Sequence, residues 1–192
     1  LFILISDYTL SYAGWLIYHK PEFKGKVIDA ETKEPIEGAV VVAIYKKHTL
    51  ISGPGGGYTS IIKVRERLTD NKGEFYIPSY TTIIQPNSIE DHVELLIYKP
   101  GYGPYPGLQV SPPLPADPEG FFLEESGRPR TVRIDNETFT FLTGIVELRK
   151  LKTREEQIIS PSIPAEVGSN EAPILYKLMN EQRRKYGLGE VQ

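Results

Sequence analysis

The sequence contains no cysteine, which excludes disulfide staples, thiolate metal centres and cysteine nucleophiles together. Histidine occurs only at His19, His48 and His92. No two form a His-x-His pair, and three histidines leave a His-based metal site thin. No apolar run is long enough to span a bilayer as a helix. Basic residues show no excess: 22 Lys and Arg against 25 Asp and Glu leave a net charge of −3, so no global positive field favours nucleic acid or anionic lipid. Internal repeats and coiled-coil heptads are also absent.

What is present is enough for one core of ordinary size, since 40% of the 192 residues are hydrophobic. One domain with extensions is expected. The most informative stretch runs from Phe23 to Tyr45. Phe23, Gly25, Val27 and Asp29 alternate with Lys24, Lys26 and Ile28, the pattern of a half-exposed strand. Ala39 to Tyr45 is an almost unbroken β-branched and apolar run, which predicts a mostly buried strand. Between them Asp29, Thr32, Pro35 and Gly38 supply turn chemistry.

The first fifteen residues read as the end of a secretory signal. Leu1 to Ile5 is apolar, and small residues at Ser11 and Ala13 flank Tyr12, so cleavage after Ala13 would leave Gly14 first. An ordinary apolar strand is the alternative. On the first reading, residues 1–13 are a signal remnant and 14–22 a free N-terminal extension, and no cysteine follows to carry lipid. The expected location is exported: periplasmic, outer-membrane-associated or extracellular.

Further along, His48 to Tyr58 contains three successive glycines and a proline and predicts a flexible loop or hairpin tip. Thr59 to Leu68 returns to strand character, with Ile62, Val64 and Leu68 as candidate core positions. Thr69 to Glu74 is a turn, with Gly73 supplying positive φ before the strand around Phe75 and Ile77. Thr81 to Asp91 reads as a connection and Val93 to Tyr98 as a buried strand. Gly101 to Arg130 is rich in proline, glycine and aromatics and too long for an ordinary connection. Strand alternation resumes at Thr131 to Ile134 and Thr138 to Leu148. Beyond that, Thr153 and Glu156 form a capping box, and Pro161 ends the short helix it starts. A second helix is expected from Asn170 to Tyr186, with Ile174, Leu175, Leu178, Met179 and Tyr186 as its apolar stripe and Gly187 as its C′ residue. That stripe packs either on its own sandwich or on a partner, including a second copy.

Complete catalytic sets are missing. His19 and Glu22 have the His-x-x-Glu spacing of a zinc peptidase's first ligands, without a third ligand or a general base in context. Gly53 to Ser60 lacks the Gly-Lys-Ser/Thr ending of a phosphate loop. Asp70 to Glu74 lacks the alternate oxygens and distal glutamate of a calcium loop. No serine lies in a nucleophile elbow. What remains is surface. Tyr98, Tyr102, Tyr105, Phe121 and Phe122 sit in or beside the long Pro/Gly loop, where aromatics either stack on sugars and dock proteins or close the end of the sandwich.

Gly25, Val27, Asp29, Thr32, Pro35, Ile36, Gly38, Ala39 and Val41, then Thr69, Asp70, Gly73, Phe75, Ile77 and Pro78, then Gly101-Tyr102, resemble the carboxypeptidase regulatory-like domains. The resemblance covers about half the chain and implies a mainly β fold. In that family this is a seven-stranded-type Greek-key β-sandwich, transthyretin-like (prealbumin-like), here over residues 23–149. Long loop insertions at 48–64 and 101–137 and a helical C-terminal tail at 150–192 depart from it. Such domains bind, space or support folding without contributing catalytic residues. The hydroxyisourate hydrolases share the fold, but their C-terminal Tyr-Arg-Gly-Ser signature has no counterpart here. The expectation is therefore a non-catalytic module, with no cofactor or metal, that binds a protein or glycan of the cell envelope. The alternative is a structural or accessory subunit of an envelope assembly or extracellular filament.

Overall fold

The computed structural model describes residues 17–50, 56–106, 121–122, 127–134 and 137–191. Among these described residues ten strands appear, in the order β1 Ile17–Lys20, β2 Phe23–Asp29, β3 Val40–Thr49, β4 Tyr58–Leu68, β5 Glu74–Ile77, β6 Tyr80–Ile83, β7 Ser88–Tyr98, β8 Pro129–Ile134, β9 Glu137–Leu142 and β10 Ile145–Leu148. Two helices follow, α1 Arg154–Gln157 and α2 Pro173–Lys185. None among the described residues is long and apolar enough to cross a membrane.

Two three-stranded sheets, β10-β2-β5 and β4-β3-β7, form a mainly β, sandwich-like body, with the ribbons β1-β6 and β8-β9 beside them. β2 runs parallel to β10 and antiparallel to β5. The central strand β3 explains the layering. Val41, Ala43 and Tyr45 point into a core shared with Phe23, Val27, Phe75, Ile77, Val93, Leu95 and Ile97. Val40, Val42 and Ile44 point the other way, against Leu96, Tyr98 and the helical segment. Successive side chains alternate between faces, so an unbroken apolar run is what a strand covered on both sides requires.

Helix α2 supplies the second cover. Leu175 and Met179 are buried, with Ile174 and Leu178 packed beside them, so the predicted stripe lies on the chain's own sheet. The buried side of that stripe is engaged within the chain. The helix starts later than Asn170, with Pro173 at its first position, where a missing N–H costs nothing. It ends as expected at Gly187, φ 70°: Leu188 N–H bonds Arg183 O and Gly187 N–H bonds Arg184 O, a Schellman motif. Its N-cap residue, Ala172, has no capping side chain. The Glu66 carboxylate on β4 takes that role, accepting from Ile174 N–H at 2.9 Å and Leu175 N–H at 2.7 Å. The capping box of Thr153 and Glu156 forms at α1.

The turns follow their chemistry. Asp29 accepts from the N–H groups of Glu31 and Thr32, and Gly38 adopts φ 69°. Buried Thr69 ties this turn to the next by accepting from Ala39 N–H and donating to Ile36 O at 2.6 Å. Gly73 sits at φ 73°, with its carbonyl 2.8 Å from Val27 N.

Several expectations need correction. Residues 17–20 of the supposed free extension form β1, paired with β6 from Ile17↔Ile83 to Lys20↔Tyr80. Tyr18 is fully buried beside Tyr80, which makes this segment part of the fold. The connection expected at 81–91 already contains β6 and the start of β7. The 48–64 insertion is largely a strand-paired extension of the β3–β4 hairpin, reaching Thr49↔Tyr58 past a bulge at Tyr45/Lys46. The strand expected over Thr138 to Leu148 breaks at Gly144, φ 68°, into β9 and β10, which have different partners. The proposed signal residues 1–13, the glycine loop at 51–55 and most of the 101–130 loop lie outside the described residues.

Candidate binding surface

Four of the five aromatics expected to offer a platform are in the core. Tyr105, Phe121 and Phe122 lie between the sheets, with the Phe122 ring 5.5 Å from Phe75 and 4.6 Å from Phe121. Tyr98 packs on the opposite face under α2. The chain after β7 folds back on that strand, pinned by paired bonds between Ile97 and Tyr105 of 2.8 and 2.9 Å. Burying each large ring contributes about 1.5–3 kcal/mol, and a buried ring has no face left for a sugar. Burial pushes the Tyr98 hydroxyl up to about 12 and raises that of Tyr105 as well. Only Tyr102 is half-buried, and its hydroxyl donates to Asp29 Oδ2 at 3.0 Å. Burial alone would raise the Asp29 carboxyl. Donors from Thr32, Glu31 and Tyr102 outweigh it and hold the group below its ordinary value. This pair braces the β2 turn.

His19 has a partner of its own, whereas His48, through Thr59, and His92 meet at Asp91, whose Oδ1 lies 2.7 Å from His92 Nδ1. His19 Nδ1 lies 2.7 Å from Thr81 Oγ1, while Glu22, three residues on, pairs with Lys24 and accepts from the Tyr76 hydroxyl. His48 Nδ1 is 3.2 Å from Thr59 Oγ1, whose proton goes to Asp91 Oδ2 at 3.1 Å. With the Thr59 proton directed to Asp91, His48 Nδ1 is the donor in its contact with that hydroxyl. Among the described residues no group of three or more His, Cys, Asp or Glu side chains is placed to hold a metal ion. Asp70 of the supposed calcium loop accepts from Lys72 and Glu74 N–H, both at 2.9 Å, as a turn residue does.

An open cleft of about 390 Å³ lies where β4 and β5, edge strands of the two sheets, approach each other. Lys24, Lys26, Arg67, Leu68, Glu74 and Tyr76 line it above Phe75. Gly25 makes the floor possible: a Cβ there would stand 2.7 Å from the Phe75 ring and 2.9 Å from Gly144 O. Tyr76 and Leu68 stay 48% and 49% exposed, an apolar pair ringed by charges of both signs. Lys24 Nζ sits 5.6 Å over the Tyr76 ring and also pairs with Glu22. The bonds to Lys24 and Tyr76 hold the Glu22 carboxyl low, and the bond to Glu22 raises the Tyr76 hydroxyl. Leu68 was expected in the core; at the end of an edge strand it has no neighbour to bury it. The signal for this cleft was Tyr76 itself, an aromatic on the outward-facing register of β5.

No family model, curated protein or solved structure matches the chain.

Proposed function

We propose that this chain is a non-catalytic, exported module that recognises a protein or glycan of the cell envelope through the β4/β5 cleft. The supporting observation is the exposed Tyr76 and Leu68 pair set among Lys26, Arg67 and Glu74 in an open groove. An aromatic face flanked by charged donors and acceptors suits both a sugar ring and a protein side chain. The resemblance to carboxypeptidase regulatory-like domains points to the same class of function, and the apolar start of the sequence underlies the assignment to export. The reading as an assembly subunit loses its two motives, because the α2 stripe and residues 17–20 are both engaged within the chain.

The test is a double variant, Leu68→Ser with Tyr76→Ala, assayed against cell-wall glycan fragments and by cross-linking to purified envelope proteins. Binding should fall at least about tenfold, roughly 1.4 kcal/mol, while the melting temperature stays near wild type. Binding unchanged by both substitutions would remove the cleft from the account.

A further inference from the structure

A second surface lies along β4. This strand pairs only with β3, and among the described residues no backbone hydrogen bond reaches the outer edge of Thr59 to Val64. The opposite edge of its sheet, on β7, is partly closed by the Ile97–Tyr105 bridge. Along an antiparallel edge every second residue directs both its N–H and its C=O outward, so the edge offers ready-made bonds to another strand. A groove of about 580 Å³ runs between this edge and Glu166, Asn170 and Glu171.

The groove is chemically asymmetric. On the helix side Ile61 and Val64 pack against the α2 layer, beside exposed Glu166 and Glu171. Neither carboxylate has an ion-pair partner among the described residues; Glu171 accepts only from Gly168 N–H, at 3.1 Å. Lys63, the one cation in the lining, stands opposite Tyr45, whose ring faces the inter-sheet core. Strand alternation therefore puts Lys63 on the other face, away from the glutamates. The helix-side wall carries two uncompensated negative charges.

We propose that the Thr59 to Val64 edge accepts an extended segment of a partner protein as an added strand, with Lys or Arg at alternate positions facing Glu166 and Glu171. Main-chain bonds would give the affinity and the acidic wall the selection. This site is distinct from the β4/β5 cleft, so either can fail alone.

The experiment is selection of a phage-displayed library of random linear peptides on the full chain, followed by synthesis of the enriched peptides. They should carry Lys or Arg at every second position, protect the amides of residues 59–64 from hydrogen exchange, and bind more weakly as salt rises. The double variant Glu166→Lys with Glu171→Lys, checked for an unchanged melting temperature, should weaken binding about tenfold, because it replaces two exposed ion pairs with repulsion. Three results would overturn the proposal: no enrichment, enriched peptides that protect other residues, or binding indifferent to both charge reversal and salt. Protection of 59–64 that grows with protein concentration in the absence of peptide would assign the edge to a second copy and overturn it equally. Loss of binding on the Leu68/Tyr76 variant alone would place the peptide in the cleft.

Discussion

Replacing Glu66 should loosen a helix that lies 108 residues further along the chain. The first turn of any helix leaves N–H groups without intrahelical partners. Pro173 removes one of them, and Ala172 offers no side chain to the rest. Glu66, 9% exposed, reaches across from β4 and places one oxygen on Ile174 N–H and the other on Leu175 N–H. A lost cap costs about 1 kcal/mol, and a hydrogen bond to a charged group contributes about 1.5–3 kcal/mol. The carboxylate also complements the positive end of the helix dipole. Because the two bonds share one group they do not add fully, so Glu66→Ala should cost about 2–3 kcal/mol on these scales. For a chain of this size that corresponds to a melting point lowered by roughly 5–10 °C. Glu66→Gln keeps one acceptor oxygen and loses the charge, so it should fall between, at about 1 kcal/mol.

Urea unfolding of the three proteins gives the ranking, and amide exchange gives the location. Protection of Ile174 and Leu175 should drop in Glu66→Ala while the β2–β10 amides keep theirs. An alanine variant within about 0.5 kcal/mol of wild type, the range of an ordinary surface change, would refute the reasoning. So would a glutamine variant no worse than wild type, since the charge would then contribute nothing.

Gly73→Val should destabilise the chain by about 3 kcal/mol or more: it forces a β-branched residue to φ 73° and drives its Cβ against the Val27 carbonyl. An unaltered melting temperature would contradict the turn. Leu175→Ala empties a fully buried position between α2 and β3 and should cost about 2–5 kcal/mol, read from urea midpoints. Glu156, held to about 2 by bonds from Lys152 N–H, Arg149 and Thr153 N–H, contributes stability that is complete above its ordinary value of about 4.5 and is lost as pH falls toward 2. Glu156→Gln should therefore lower stability at neutral pH and flatten the acid limb of the stability curve; a parallel curve would refute the assignment. Tyr176→Phe removes the 2.8 Å bond to Val167 O at a cost of about 1 kcal/mol, and should speed amide exchange over residues 167–171; unchanged exchange there would exclude the bond as their anchor.

Local chemistry was the legible part of this fold. Asp29, Gly38, Asp70 and Gly73 declare their turns because each side chain, or its absence, acts on backbone a few residues away. Thr153 with Glu156 and Gly187 mark helix ends for the same reason. Choices that depend on distant partners were not legible. The capping of α2 by Glu66 joins residues that no window of sequence contains together. Tyr105, Phe121 and Phe122 have the same composition whether they plug a sandwich or display a platform; the backbone return at Ile97 to Tyr105 decides it. Leu68 and Tyr76 show the reverse case. Strand periodicity puts Leu68 inward and Tyr76 outward, but the edge position of β4 leaves Leu68 exposed as well.

The groove and the core share parts, and this links the two levels. Glu66 lies on β4, the strand whose free edge forms one wall; residues 166–171, the other wall, lead directly into the helix that Glu66 caps. Tyr176 holds Val167 at the base of that wall, while Leu175 and Met179 seat the helix on Val40, Val42 and Ile44. The distance between the walls is thus fixed by the packing that covers β3. An extended partner at the β4 edge would meet a preformed gap, so little ordering of the groove would oppose its binding. Loosening the helix at Glu66 or Tyr176 should then weaken such a partner without touching any residue that faces it.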